Sequence, residues 1–386
     1  MRHYKTILAS SIILSILIIT GFYSCKKSST GPATDPLAAL NLPSSPFNYA
    51  NQTLPGFLRS PLINGQDNTP ATNPISDWGA SLGRVLFYDK TLSINNSIAC
   101  ASCHKQNFSF ADNAAFSVGF AGGLTARNSM QLVNARYYPN RRFFWDERAA
   151  TLEAQTLMPI QHPVEMGMNL DTLLVRLKAK TYYPVLFQKA FGSESITPDK
   201  ISDALAQFVR SIISYQSKFD AGRAAINPPA DPILTPYANF TPQENQGKQL
   251  FFSPLTNCGT CHGTETFTAP TTKNNGIENP SVDKGVGGIT NLSQQVGEFK
   301  VASLKNIELT SPYMHDGRFT TLDQVIEHYN SGIQANPNLS PQLRDINGAP
   351  RRLNLTPDQK AALVAFLKTL TDLAITTDVK FSSPFK

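Results

Sequence analysis

Apolar residues recur mainly at helical spacing along this chain, and no strand-rich segment interrupts them. Leu82, Val85, Leu86 and Tyr88 give residues 77–89 one apolar face, and helices are predicted over 170–180 and 183–191. Over 198–214, Ile201, Leu205, Phe208, Val209 and Ile212 share a side. Thr241-Pro242-Gln243-Glu244 reads as a capped helix start that runs to Phe252, with Thr241 as N-cap and Pro242 in the first helical position. Over 356–373, Thr356-Pro357-Asp358-Gln359 leads into Leu363, Phe366, Leu367 and Leu370, an amphipathic helix. The pattern predicts an all-α fold with long loops, of which 271–295 is Asn/Gly-rich and unpatterned. Asn227-Pro228-Pro229-Ala230-Asp231-Pro232 is the expected linker between two domains, 61–228 and 229–386.

The N-terminus has its own pattern. Arg2 and Lys5 precede an apolar run over 7–19, and Thr20-Gly21-Phe22-Tyr23-Ser24 leads into Cys25. A basic head, an apolar segment too short to span comfortably and a small residue before the cut predict a secretory signal over 1–24. Cys25 stands where a lipoprotein signal places its lipid-bearing cysteine, although Phe22 and Tyr23 are bulkier than usual there. The Ser/Pro/Ala-rich stretch that follows predicts a flexible tether over 25–60. The expected location is the periplasm or cell envelope, with a membrane anchor through Cys25.

Composition changes this picture little. A balance of 41% hydrophobic and 16% charged residues is globular, and a net charge of +6 is too mild to argue for nucleic acid. The cysteines change it more. Of five, four lie in Cys100-Ala101-Ser102-Cys103-His104 and Cys258-Gly259-Thr260-Cys261-His262. C-x-x-C-H is the attachment pattern of a c-type haem: two thiols reach two vinyl groups of one ring and the histidine points at the iron. One such run competes with a redox dithiol or half a zinc site. Two runs, each with its histidine and no other zinc half, predict two covalently bound haems c, ligated by His104 and His262. Each motif follows a predicted helix ending in Leu86-Phe87-Tyr88 or Leu250-Phe251-Phe252, an internal duplication of a cytochrome-like unit.

Several further stretches, in order, resemble the bacterial dihaem cytochrome c peroxidase family, including its MauG-like (methylamine-utilisation) branch. They are Leu86-Phe87-Tyr88-Asp89, Phe144-Trp145-Asp146-Glu147-Arg148-Ala149, Pro163-Val164-Glu165-Met166-Gly167, Leu304-Lys305-Asn306-Ile307 and Thr310-Ser311-Pro312-Tyr313-Met314-His315-Asp316-Gly317-Arg318-Phe319. The resemblance implies two cytochrome c-like domains in tandem, a calcium ion between them, and reduction of hydrogen peroxide at the first haem. It implies Glu165 as the acid/base, Gln155 as the pocket amide and Trp145 as an electron relay between the haems. Asn128, Thr310 and Pro312 match calcium-binding positions. Phe120 stands where peroxidases of the family place a displaceable histidine, so the first haem is expected to be open. His162 is expected to be a structural residue of the loop Pro159–Pro163, with swinging in to the first haem as the alternative. For the second haem the register places Tyr329 at the sixth ligand position, as in the MauG-like branch, with Met314 as the alternative; His315 is expected at the ring edge.

Three functions follow. The first is a peroxidase fed by a small cytochrome or cupredoxin. The second is a MauG-like oxidant acting on a protein or other substrate, and the third a non-enzymatic dihaem electron carrier. The resemblance leaves room for a homodimer.

Overall fold

Helices form where the periodicity predicts them, because caps and apolar faces agree. A computed structural model of the protein describes residues 35–227 and 230–386; the predicted leader, Cys25, the first part of the tether and two linker prolines lie outside these. The helices include Asp77–Tyr88, Leu170–Lys178, Tyr182–Phe191, Pro198–Ser211, Pro242–Phe252 and Pro357–Lys368. Thr241 caps Glu244 and Thr356 caps Gln359, each in a reciprocal capping box. Among the described residues the extended structure is confined to isolated bridges, and no helix is long and apolar enough to cross a membrane.

Two predicted helices stop early, and for the same reason. The amide of Asn134 bonds the carbonyl of Ile212 at 2.9 Å, and its side chain accepts from Ser214 N. Asn306 repeats this with Leu370 O at 3.0 Å and Asp372 N at 2.6 Å. Those backbone groups leave the helical ladder for an asparagine that sits at φ 59° in both copies. Two helices that the periodic reading above does not include are Leu152–Gln161 and Leu322–Glu327, the second too short to show more than Leu322, Val325 and Ile326 on one side. The first contains Pro159 and spreads its buried residues thinly.

The duplication extends beyond the two motifs. Asp77–Tyr88 packs on Pro198–Ser211, and Pro242–Phe252 on Pro357–Lys368. Each pair crosses at a glycine: a Cβ on Gly83 would lie 1.9 Å from Ala204 O, and one on Gly247 1.9 Å from Ala362 O. Two corresponding loops are closed by the bridges Phe143↔Ala149 and Tyr313↔Phe319. Each has two left-handed positions, Phe144 and Glu147 in the first, Met314 and Gly317 in the second. Trp145 therefore corresponds to His315, and Glu147 to a glycine. A non-glycine residue at such a φ costs on the order of 1 kcal/mol.

The largest hydrophobic cluster gathers Phe87, Phe110, Leu186 and Phe208, and a second gathers Phe251, Phe267, Tyr313 and Phe366. The later part of the predicted tether is not free: Leu40 and Tyr49 are buried in the first cluster. The Tyr49 hydroxyl donates to Lys380 O at 2.6 Å, so the C-terminal tail, with Phe381, covers this core together with it. Aromatic burial at Tyr49 and Phe57 outweighs the local polar composition there.

Candidate functional site

Each C-x-x-C-H motif is a single turn whose histidine is oriented by the backbone. His104 Nδ1 lies 2.9 Å from Phe110 O, and His262 Nδ1 lies 3.0 Å from Phe267 O. A carbonyl only accepts, so Nδ1 carries the proton in both rings and Nε2 keeps its lone pair for a metal. Phe110 and Phe267 take left-handed φ values of 60° and 55°, which turns their carbonyls toward the imidazoles. Burial depresses both histidine pKa values, His262 to about 4, which keeps the rings neutral and ready to ligate. All four motif cysteines are unpaired thiols. Unpaired thiols beside an oriented imidazole are the donor set a covalent haem requires, and in the second motif both thiols line a cavity with the histidine, whereas in the first only His104 does.

The first cavity, about 450 Å³, is lined by His104, Trp145, Gln155, His162 and Glu165 among others. Glu165 sits in the turn after helix Leu152–Gln161, which supplies Gln155. Burial raises the Glu165 pKa, while His162 and Arg148 pull it down. His162 Nδ1 is 3.5 Å from Glu165 Oε1 with its side chain 45% exposed. The imidazole expected to be a structural loop residue is therefore at the cavity mouth, because Pro159 O takes its backbone N–H and ends the helix there. Phe120 is not among the lining residues. Its ring packs against Gly167, and its N–H donates to Glu165 O at 3.0 Å, tying the two loops together.

The second cavity, about 230 Å³, is lined by Cys258, Cys261, His262, Met314, His315 and Tyr329 among others. After helix Leu322–Glu327 the backbone widens into a π turn over His328–Gly332, which carries Tyr329. Burial raises the Tyr329 pKa to about 12, with the Asn275 side chain acting the other way. The sulfur of Met314 accepts from Asn275 Nδ2 at 3.5 Å. His315 is buried and stacks on Phe299, with ring centroids 3.8 Å apart.

Trp145 lines both cavities. Its indole N–H donates to Asn128 O at 2.9 Å, and its own carbonyl accepts from Lys300 N at 2.8 Å. Lys300, which the sequence reading did not single out, also lines both cavities. Only its apolar setting distinguishes it, and that is a tertiary property.

Of the three residues matched to calcium, Asn128 is tied by its backbone to the loop that follows the other two. Asn128 N bonds His315 O at 2.8 Å, which brings it to the loop after Pro312, and its amide donates to Ala114 O. Among the described residues no group of three or more His, Cys, Asp or Glu side chains is placed to hold a metal.

A family model for di-haem cytochrome c peroxidase matches residues 78–225. The methylamine utilization protein MauG of Methylorubrum extorquens is 33% identical, over 78% of this chain and 80% of its own. Cytochrome c551 peroxidase of Nitrosomonas europaea is 32% identical, over 78% and 82%. Among solved structures, a MauG-like protein associated with microbial copper homeostasis matches with TM-score 0.74 and 30% identity, over 86% of this chain and 99% of its own. The diheme peroxidase BthA from Burkholderia thailandensis gives TM-score 0.61 at 21% identity, over 81% and 91%, a likeness of fold alone.

Proposed function

Since the chain belongs to the di-haem cytochrome c peroxidase family, we propose that it reduces hydrogen peroxide to water with electrons from a small redox protein. Haems held at His104 and His262 supply the redox chemistry, the first to peroxide and the second to the donor. The observation that carries the reading is Glu165, a carboxyl with a raised pKa, in the cavity that His104 faces. Glu165 takes the proton from the near peroxide oxygen and returns it to the far one, so that the leaving group departs as water. Gln155 orients the peroxide from the adjoining helix. His162, exposed and beside Glu165, exchanges protons with solvent. Trp145, shared by the two cavities, relays electrons between them.

A second reading, MauG-like oxidation of a protein or other substrate, is favoured by one observation: an oxygen donor, Tyr329, faces the second cavity. A phenolate stabilises ferric iron and makes a poor high-potential electron inlet. Steady-state turnover of peroxide by the holoprotein with a reduced small cytochrome or cupredoxin tests the first reading. Two donor oxidations per peroxide are expected. Rapid peroxide-driven oxidation of the haems with no donor turnover would leave the second reading in its place.

Two further proposals concern setting. A calcium ion held through Asn128, Thr310 and Pro312 would brace the contact that Asn128 makes with His315 O. Chelation should then change the second haem's spectrum. Export with a lipid on Cys25 predicts that Cys25→Ser moves the protein from the membrane to the soluble periplasmic fraction.

A further inference from the structure

The wall of the first cavity, which includes Trp145, also carries a phenol with its own proton acceptor. Tyr138 is buried and lines the first cavity, and its hydroxyl donates to the Glu147 carboxylate. The other carboxylate oxygen accepts from the amide of Asn140. Both oxygens accept in this arrangement, as those of an ionised carboxylate do; burial raises the Glu147 pKa, while Tyr138, Lys300 and Asn140 act the other way. Glu147 holds this place at φ 55°, where the corresponding residue of the second half is Gly317. The fold thus retains a carboxylate in a backbone conformation that suits glycine; its side-chain hydrogen bonds there are to Tyr138 and Asn140, with the charges of Lys300 and Arg142 acting on it as well. Lys300 Nζ lies 3.5 Å over the Tyr138 ring, and Lys300 N bonds Trp145 O, which couples the tyrosine to the proposed relay.

We propose that Tyr138 and Glu147 form a third redox site, which stores one oxidising equivalent as a neutral tyrosyl radical. The proposal rests on the peroxide reading above for its natural oxidant. Tyr138 loses one electron toward the first haem, its O–H bond breaks, and the proton moves to Glu147, which becomes a carboxylic acid. Peroxide needs two electrons and two protons to become two waters, so the second electron comes from the haem pair and the protons from solvent. Burial lowers the Lys300 pKa to about 7, and its ammonium form over the ring opposes a cationic phenol. Moving the proton to Glu147 keeps the ring under Lys300 neutral throughout. Such a site can pass the equivalent on to an external electron donor one electron at a time.

The test uses the diferric holoprotein, freeze-quenched after one equivalent of hydrogen peroxide, or after illumination with a ruthenium polypyridyl photo-oxidant and a sacrificial acceptor. Electron paramagnetic resonance should show a tyrosyl radical that narrows with ring-deuterated tyrosine and is lost in Tyr138→Phe. Glu147→Gly removes the carboxylate and relieves the backbone, so its fold should survive. It should slow radical formation by about 10²-fold, the low end of what one positioned base supplies. Persistence of the same signal in Tyr138→Phe, or photo-oxidised haems with no tyrosyl signal, overturns the proposal. A Tyr138 radical formed by light but not by peroxide, together with no peroxide-dependent donor turnover, would refute the peroxide reading and leave the redox site standing.

Discussion

Glu165 and Tyr329 each put one side chain in one cavity, and each gives a residue-scale test. Burial raises the Glu165 pKa above its ordinary 4.5. The ionised form accepts the peroxide proton, so turnover should fall as pH drops through a value above that figure. Glu165→Gln should keep both haems, lose about 10²–10⁴ in rate, and lose this acidic limb. A kcat profile against pH for the two proteins reads both effects. At the second cavity, Tyr329→Phe should change the axial-ligand spectrum of the second haem and leave the first unaltered, whereas Met314→Leu should do little. The Met314 sulfur already accepts a hydrogen bond from Asn275. The reverse result would make methionine the ligand, with a higher potential.

At the scale of elements, most helices were legible because cap, period and apolar face coincide, as at Thr241–Glu244 and Thr356–Gln359. What the sequence concealed depends on long-range partners. The ends at Ser211 and Lys368 are set by Asn134 and Asn306, far away in the chain. The Leu152–Gln161 helix, which presents Gln155, has a proline and little apolar periodicity. The C-x-x-C-H turns were plain, yet the carbonyls of Phe110 and Phe267 that aim their histidines were not. The repeated glycine crossings were also hidden, since one glycine three residues before Leu86 or Leu250 looks incidental. Gly247→Ala would push a methyl to 1.9 Å from Ala362 O, and overpacking of this kind costs about 1–3 kcal/mol. Gly65→Ala, with nothing within 4 Å, should be neutral or stabilise by about 0.4–1 kcal/mol. Thermal unfolding of the two holoprotein variants should separate them clearly.

Across the whole molecule, the two cavities are joined by few residues, and Trp145 is central among them. Its position is fixed twice, by Asn128 O at the indole and by Lys300 N at the backbone. The duplicated loop places His315 where Trp145 stands, but His315 stacks on Phe299 and lines the second cavity alone. The symmetry is thus broken at the residue that faces both cavities. Trp145→Phe keeps an aromatic ring but removes the indole N–H, and with it the bond to Asn128. Both haems should still be incorporated, since no cysteine or histidine contact changes. Peroxide added to the variant should still oxidise the first haem promptly, through Glu165 and Gln155. The second haem should then respond more slowly than in the wild type, and steady-state turnover with a donor protein should fall with it. Stopped-flow spectra that follow each haem separately measure the two rates. Equal rates at both haems in the variant would show that electrons cross by another route, and Lys300 with Ser303, which also line both cavities, would mark where to look.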